Sequence, residues 1–233
     1  MTQIPLHFLP GTQCDDMLWQ QVFEHLSPRF TPISWGIPRG DNLAAIVESL
    51  HKTLPNTPLN LIGFSLGGYV ASLFATTYPQ RINQLLVIAN APKALPLQEI
   101  LTRRQTLDYI ENNGYSGMPK TRIRQLLSPM NHQDSDIIDI MRQMDKRGGE
   151  SMLVNQLSCT TQREDLLGPL NQQSFPTKFV IGEHDNLVNV NELKKSLLSD
   201  RLSIETLENC GHMSPLESPQ LLAHIIEEYF KTD

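Results

Sequence analysis

Short apolar runs and helical periods take turns along this chain. Runs at Leu6–Leu9, Thr31–Trp35, Leu59–Phe64, Gln84–Ala89, Lys178–Gly182 and Ser203–Leu207 read as strands, several of them almost without polar breaks. Strands covered on both faces have that pattern. Helical segments lie between them. Asp16–Leu26 opens on acidic residues. Asp41–Leu54 places Leu43, Ile46, Val47 and Leu50 on one face, with Asp41 in the N-cap position. Leu66–Tyr78 stops before Pro79, Asn191–Leu198 follows the fifth run, and Pro219–Phe230 begins with a helix-starting proline. Strand–helix–strand alternation predicts an α/β fold with a mostly parallel sheet of about six strands and right-handed crossovers.

Between Asn90 and Pro176 the alternation fails. The spacing there predicts only helices: Pro96–Asn112 ending at Gly114, Thr121–Leu127, Ser135–Arg147 ending at Gly148-Gly149, and Glu150–Thr160. The chain therefore divides into a core of residues 1–90 and 172–233 and a helical lid of residues 91–171. Met118, Met130, Met141, Met144 and Met152 lie in the lid. They read either as an adaptable apolar roof for an acyl chain or as plain helix packing.

At 233 residues, with 39% hydrophobic and 19% charged, the chain suits one globular domain. A net charge of −6 argues against nucleic acid as a partner. No run of 18 apolar residues predicts a membrane span. The N-terminus lacks the basic and apolar regions of a signal peptide, which points to the cytoplasm. Cys14, Cys159 and Cys210 form neither a C-x-x-C pair nor an even set, so free thiols are expected rather than a disulfide framework or zinc site. Residues 91–171 hold ten Lys/Arg and ten Asp/Glu, so the negative charge lies on the remainder. Arg103, Arg104, Arg122, Arg124, Arg142, Lys146 and Arg147 then read as a rim for an acidic acyl carrier protein or a carboxylate, or as an ordinary solvated surface. Arg163 and Asp165, where the lid returns to the core, read as a structural ion pair.

The most specific stretch is Gly63-Phe64-Ser65-Leu66-Gly67, G-x-S-x-G between a strand and a helix. A turn that sharp presents the serine hydroxyl above the sheet, and its glycines let strand and helix approach. A capping serine on a glycine-rich turn is the competing reading. A nucleophilic serine needs a base, and His212 in "ENCGHMSPLESP" follows the last strand in a loop. His184 is the second choice. Asp185 ends the fifth strand and is the orienting carboxylate, with Glu183 as fallback. The oxyanion donors are the Leu66 N–H and, in "FLPGTQCDD", the Thr12 N–H, with Gln13 next.

Through "GFSLGG", "GEHDNLV", "CGHMSPLESP" and "LPGTQCDDMLW" the sequence resembles the α/β-hydrolase superfamily over essentially its whole length. The order Ser65, Asp185, His212 is the order of that fold. The resemblance implies catalytic Ser65, Asp185 and His212, oxyanion amides at Thr12 and Leu66, a helical lid, and no metal or organic cofactor. Two departures stand out. The chain enters the oxyanion strand without a preceding β-hairpin, and Pro10 stands where many relatives carry histidine. Small lidded relatives include a pimeloyl-carrier-protein methyl esterase, enol-lactonases, thioesterases and a menaquinone-pathway C–C lyase. The expected function is cleavage of a small or acyl-chain carboxylic ester through an acyl-enzyme. A thioesterase, the triad-based lyase and a non-catalytic binding protein on the same scaffold are the alternatives.

Overall fold

The computed structural model describes residues 3–231. Six strands form one parallel sheet: β1 (Ile4–Leu9), β2 (Phe30–Ser34), β3 (Leu59–Phe64), β4 (Ile82–Ile88), β5 (Thr177–Gly182) and β6 (Leu202–Leu207). Their order is β2-β1-β3-β4-β5-β6. Every neighbouring pair is parallel, as the strand–helix alternation predicts. The order reverses direction between β1 and β3, and such a reversal opens a crevice at the carboxyl ends of the strands.

Successive strand residues point to opposite faces, and the core divides accordingly. Ile62, Phe64, Leu86, Ile88 and Val180 join one buried cluster, while Leu61, Leu85, Val87, Phe179 and Ile181 join the other. The first face is covered by α1 (Gln20–His25) and α10 (Pro219–Phe230). The second is covered by α2 (Leu43–Thr53) and α3 (Leu66–Thr77). Central strands are buried almost throughout and the edge strand β2 only in part.

Two local expectations shift. Asn42, not Asp41, caps α2: its side chain accepts from the Ala45 N–H at 2.9 Å, the N3 donor that a capping oxygen reaches. The single helix expected over 16–26 begins as a 3₁₀ turn, Asp16–Trp19, capped by the Asp15 side chain, before α1.

Between β4 and β5 lie α4 (Leu97–Asn113), α5 (Lys120–Leu126), α6 (Ser135–Cys159) and the short α7 (Leu167–Asn171), with no strand among them. Gly149, at φ 64°, breaks α6 at the Gly148-Gly149 pair. A side chain there would be strained, so glycine permits the change of direction. Ile123, Leu126, Leu127, Ile137, Met141 and Met144 of this insertion are buried in the same cluster as Phe8, Trp19 and Phe64 of the body. Met130 is 72% exposed and belongs to no roof. The remaining helices are α8 (Val190–Ser196) and α9 (Ser214–Glu217). Among the described residues no helix is long and apolar enough to cross a membrane.

Candidate active site

Among the described residues, four other than glycine have positive φ: Gln13 (57°), Ser65 (51°), Ala89 (51°) and Asn209 (55°). Each lies in a segment that follows a strand, after β1, β3, β4 and β6 respectively. L-residues pay for that conformation, and such strain collects at functional sites. Ser65 sits between β3 and α3 at ψ −113°, its N–H donating to Ile88 O at 2.9 Å. Gly67 cannot be replaced without moving backbone: a Cβ there would lie 2.3 Å from Leu9 O and 2.5 Å from Pro10 O. The first turn of α3 is thus pressed against the loop after β1. In that loop a Cβ on Gly11 would lie 3.3 Å from Ser65 Cβ.

His212 Nε2 lies 2.9 Å from Ser65 Oγ, and His212 Nδ1 lies 2.8 Å from Asp185 Oδ2. The His212 and Asp185 side chains are 5% and 0% exposed. Asp185 Oδ1 accepts the Leu187 N–H at 2.8 Å, so the carboxylate cannot swing from the ring. The sequence-expected Ser65, Asp185 and His212 therefore meet in one continuous chain of contacts. Glu183, the fallback acid, is exposed and accepts the Asn209 N–H at 3.0 Å instead. His184 is 3.9 Å from Glu183 and makes no contact with Ser65.

In the loop after β1, the Gln13 N–H is already taken by Gln156 Oε1 at 3.0 Å. Among the described residues neither the Thr12 nor the Leu66 N–H meets an acceptor. Gln13, the alternative oxyanion donor, is thus engaged elsewhere.

The loop carrying His212 is held from the insertion. Its His212 and Met213 N–H groups both donate to Leu126 O, at 2.8 and 3.2 Å. Glu217 binds the same two segments. Its Oε1 accepts from the Gly211 and Met213 N–H groups, both at 3.1 Å. Its Oε2 accepts from Ser128 N at 2.7 Å and Asn131 Nδ2 at 2.9 Å. Sequence reasoning gave Glu217 no part, although it lies in the stretch that carries His212. An acidic residue one short turn past a base was the available signal.

Other expectations change. Arg163 does not pair with Asp165. Its guanidinium lies 4.6 Å over the Tyr69 ring and donates to Thr160 O, while Asp165 caps the Leu167 N–H. Burial and the neighbouring Arg103 both oppose its charge. Three cations of the expected basic rim are paired: Arg147 with Asp15 of the body at 2.5 Å, Arg103 with Glu99 at 2.9 Å and Arg142 with Asp139 at 3.6 Å. His51 stacks on Tyr78 at 4.0 Å and meets Arg81. All three cysteines are free, and burial pushes the Cys14 and Cys210 thiols up to about 12. Among the described residues no three His, Cys, Asp or Glu side chains gather as a metal would need.

Residues 33–232 match the model of the Ndr family. The chain belongs to the Ndr family. This Ndr-family chain is 29% identical, over 81% of its length and 70% of theirs, to a Bacillus subtilis protein named for 2-succinyl-6-hydroxy-2,4-cyclohexadiene-1-carboxylate synthase activity. It is 26% identical to a pimeloyl-[acyl-carrier protein] methyl ester esterase of Aeromonas hydrophila, over 96% of this chain and 94% of that one. A solved esterase of Thermogutta terrifontis superposes with a TM-score of 0.82 at 22% identity, covering 98% of this chain and 89% of that one. The Ndr-family chain has the α/β-hydrolase fold, and its relatives and structural neighbours include esterases and hydrolases of that fold.

Proposed function

We propose that this chain is a serine hydrolase that cleaves a carboxylic ester of a small or acyl-chain substrate. The observation that carries the reading is the Ser65–His212–Asp185 chain, at 2.9 and 2.8 Å. In the proposed mechanism His212 takes the Ser65 proton as Oγ attacks the carbonyl carbon. The tetrahedral oxyanion is held by the Thr12 and Leu66 N–H groups, and the positive end of α3 adds to that field. His212 then protonates the departing alkoxide, leaving an acyl-enzyme on Ser65. A water, deprotonated by His212, attacks the acyl carbon and releases the acid. Asp185 keeps the ring in the tautomer with its proton on Nδ1 and stabilises the imidazolium.

In this reading the insertion between β4 and β5 is a lid, and Met118 and Ile138, only partly buried against the core, are its adaptable apolar contacts. A cleft of about 250 Å³ bordered by Lys120, Arg124, His132 and Arg142, with Asp139 at 3.6 Å from Arg142 as its one carboxylate, supports an acidic carrier protein as the bearer of the acyl group. Transfer to a thioester needs only a thiolate in place of the alkoxide. The Bacillus subtilis relative, named as a synthase, supports a second reading, in which His212 and Ser65 act as a base without an acyl-enzyme.

Fluorophosphonate labelling joined to turnover of p-nitrophenyl esters, acyl-thioesters and carrier-protein methyl esters tests the proposal. Ser65→Ala should abolish labelling and cost on the order of 10⁶ in kcat. A variant that kept a tenth of its turnover would remove Ser65 from the mechanism.

A further inference from the structure

The loop after β1 is strained and held from outside. Gln13 is 3% exposed and sits at φ 57°. Three hydrogen bonds tie it to α6: its N–H donates to Gln156 Oε1 at 3.0 Å, and its Nε2 donates to Asp145 Oδ1 and to Gly149 O, each at 3.1 Å. Asp145 is itself 3% exposed, and among the described residues no Lys or Arg pairs with it. Instead it accepts from the Tyr115 hydroxyl and from the Met118 N–H at 2.8 Å. Burial together with Asp145 holds the Tyr115 phenol well above its ordinary range, so it stays a donor. Gln156, 5% exposed, has no part in the chain from Ser65 to Asp185.

This network bears on chemistry because of where Gln13 stands. The φ of Gln13 turns about the bond that follows the Thr12–Gln13 peptide, and Gln156 grips the N–H of that same peptide. Releasing either frees the Thr12–Gln13 peptide, and with it the position of the Thr12 Cα, which carries the Thr12 N–H on its other side. A non-glycine residue leaves positive φ downhill unless the surroundings fix it. An oxyanion donor works only within a few tenths of an ångström of its aim.

We infer that Gln156 and Asp145 are positioning residues for the oxyanion loop: the insertion, by gripping Gln13, sets the aim of the Thr12 N–H. The inference rests on the reading of Ser65 as nucleophile and Thr12 as oxyanion donor. It adds that the insertion assembles the site as well as covering it.

Gln156→Met keeps the volume and removes the acceptor, whereas Gln156→Glu keeps an acceptor in place. Kinetics are measured per active site, titrated with a fluorophosphonate, alongside affinity for an alkyl boronic acid, which mimics the tetrahedral adduct. Gln156→Met should lower kcat roughly 10- to 100-fold, part of the 10²- to 10³-fold cost of deleting such a donor outright. KM should hold, boronate affinity should fall in parallel, and Gln156→Glu should recover most of both. A purely structural role would lower the melting temperature and the titratable fraction but leave kcat per titrated site and boronate affinity unchanged, which would overturn the inference. If Gln156→Met does not fold, Tyr115→Phe, which loosens Asp145 at a half-buried position, should move both quantities the same way. No change there would equally overturn it. Ser65→Ala labelled alongside keeps the two readings apart: wild-type labelling lost in Ser65→Ala with no effect at Gln156 leaves the nucleophile standing and removes the latch.

Discussion

Glu217 offers the sharpest test of how the His212 loop is held. Glutamine at 217 keeps the shape but has one acceptor oxygen where the carboxylate has two. If the amide nitrogen faced Gly211 and Met213, two backbone donors would meet a third. If it faces Ser128 and Asn131, the Asn131 amide can turn its own oxygen inward, and only the Ser128 N–H is orphaned. The second orientation wins, so Glu217→Gln should cost about 1–3 kcal/mol, the price of one buried unsatisfied donor. Leucine removes every acceptor. The Met213 N–H retains Leu126 O, but the Gly211 and Ser128 N–H groups are left bare. That is about 2–6 kcal/mol, a large share of the 5–15 kcal/mol that holds a typical domain together. At about 2–4 °C per kcal/mol for a chain of this size, the expected drop in melting temperature is about 2–12 °C for glutamine and about 4–24 °C for leucine. Near-ultraviolet circular dichroism follows the transition, and turnover is normalised to titrated sites. Glutamine should leave kcat within a few-fold of wild type, because the His212 side of the clamp survives. A leucine variant melting within 2 °C of wild type would show that water, not Glu217, satisfies these donors.

Further outcomes follow from other contacts. Asp185→Asn should bind substrate normally yet lose about 10⁴ in kcat through the wrong His212 tautomer; Glu183→Gln should keep most of its turnover, and the reverse pattern would exchange their roles. Cys14 and Cys210, with thiols near 12, are roughly 10⁻⁴ ionised at pH 8, against about a quarter for an ordinary thiol. Dithiobis-nitrobenzoate should therefore label them at least about 100-fold more slowly in the native protein than in denaturant, and rapid native labelling would contradict the burial. His7, whose pKa burial lowers, accepts the Trp35 Nε1–H at 3.0 Å on Nδ1. Its depressed folded value means its stabilising contribution is whole above the unfolded value of about 6.5 and is lost as pH falls through the folded one. Stability should fall below pH 6.5 by up to about 1.4 kcal/mol per unit, and His7→Asn should flatten that slope; an equal slope in the variant would clear His7.

Strands and their order of function were readable because the period of apolar positions is local. All six runs became strands, five of them extended by one or two residues at their N-terminal ends, in β1 and β4 past Pro5 and Asn83, which interrupt the apolar pattern. The break in α6 was readable from a glycine pair. Ser65, Asp185 and His212 could be named because each closes or follows a strand in a parallel sheet, and such a sheet brings those ends together. What local pattern could not give was the set of contacts that hold the insertion to distant parts of the body. Gln13 with Asp145 and Gln156 is such a case, and so is Arg163 over Tyr69 in place of Asp165. Polar side chains of this kind look like surface in sequence. They become interior only when a distant helix is laid over them.

The same contacts change what the insertion can be. A detachable roof would touch the body through a hinge and a rim. Here Leu126 O receives two backbone donors from the His212 loop, Glu217 reaches Ser128 and Asn131, Gln156 grips Gln13, and Arg147 pairs with Asp15. Ile123, Leu127, Met141 and Met144 are 1–2% exposed and share a cluster with strand residues. At about 25 cal/mol per Å² of apolar surface, exposing that cluster by excision would cost more than a marginally stable domain can spare. Substrate selection and assembly of the site therefore cannot be separated by deleting the insertion. Changes of acyl-length preference should be sought in side chains such as Met118 and Ile138, which lie against the core but are only partly buried, where volume can change while the tethers to the His212 and Gln13 loops stay in place.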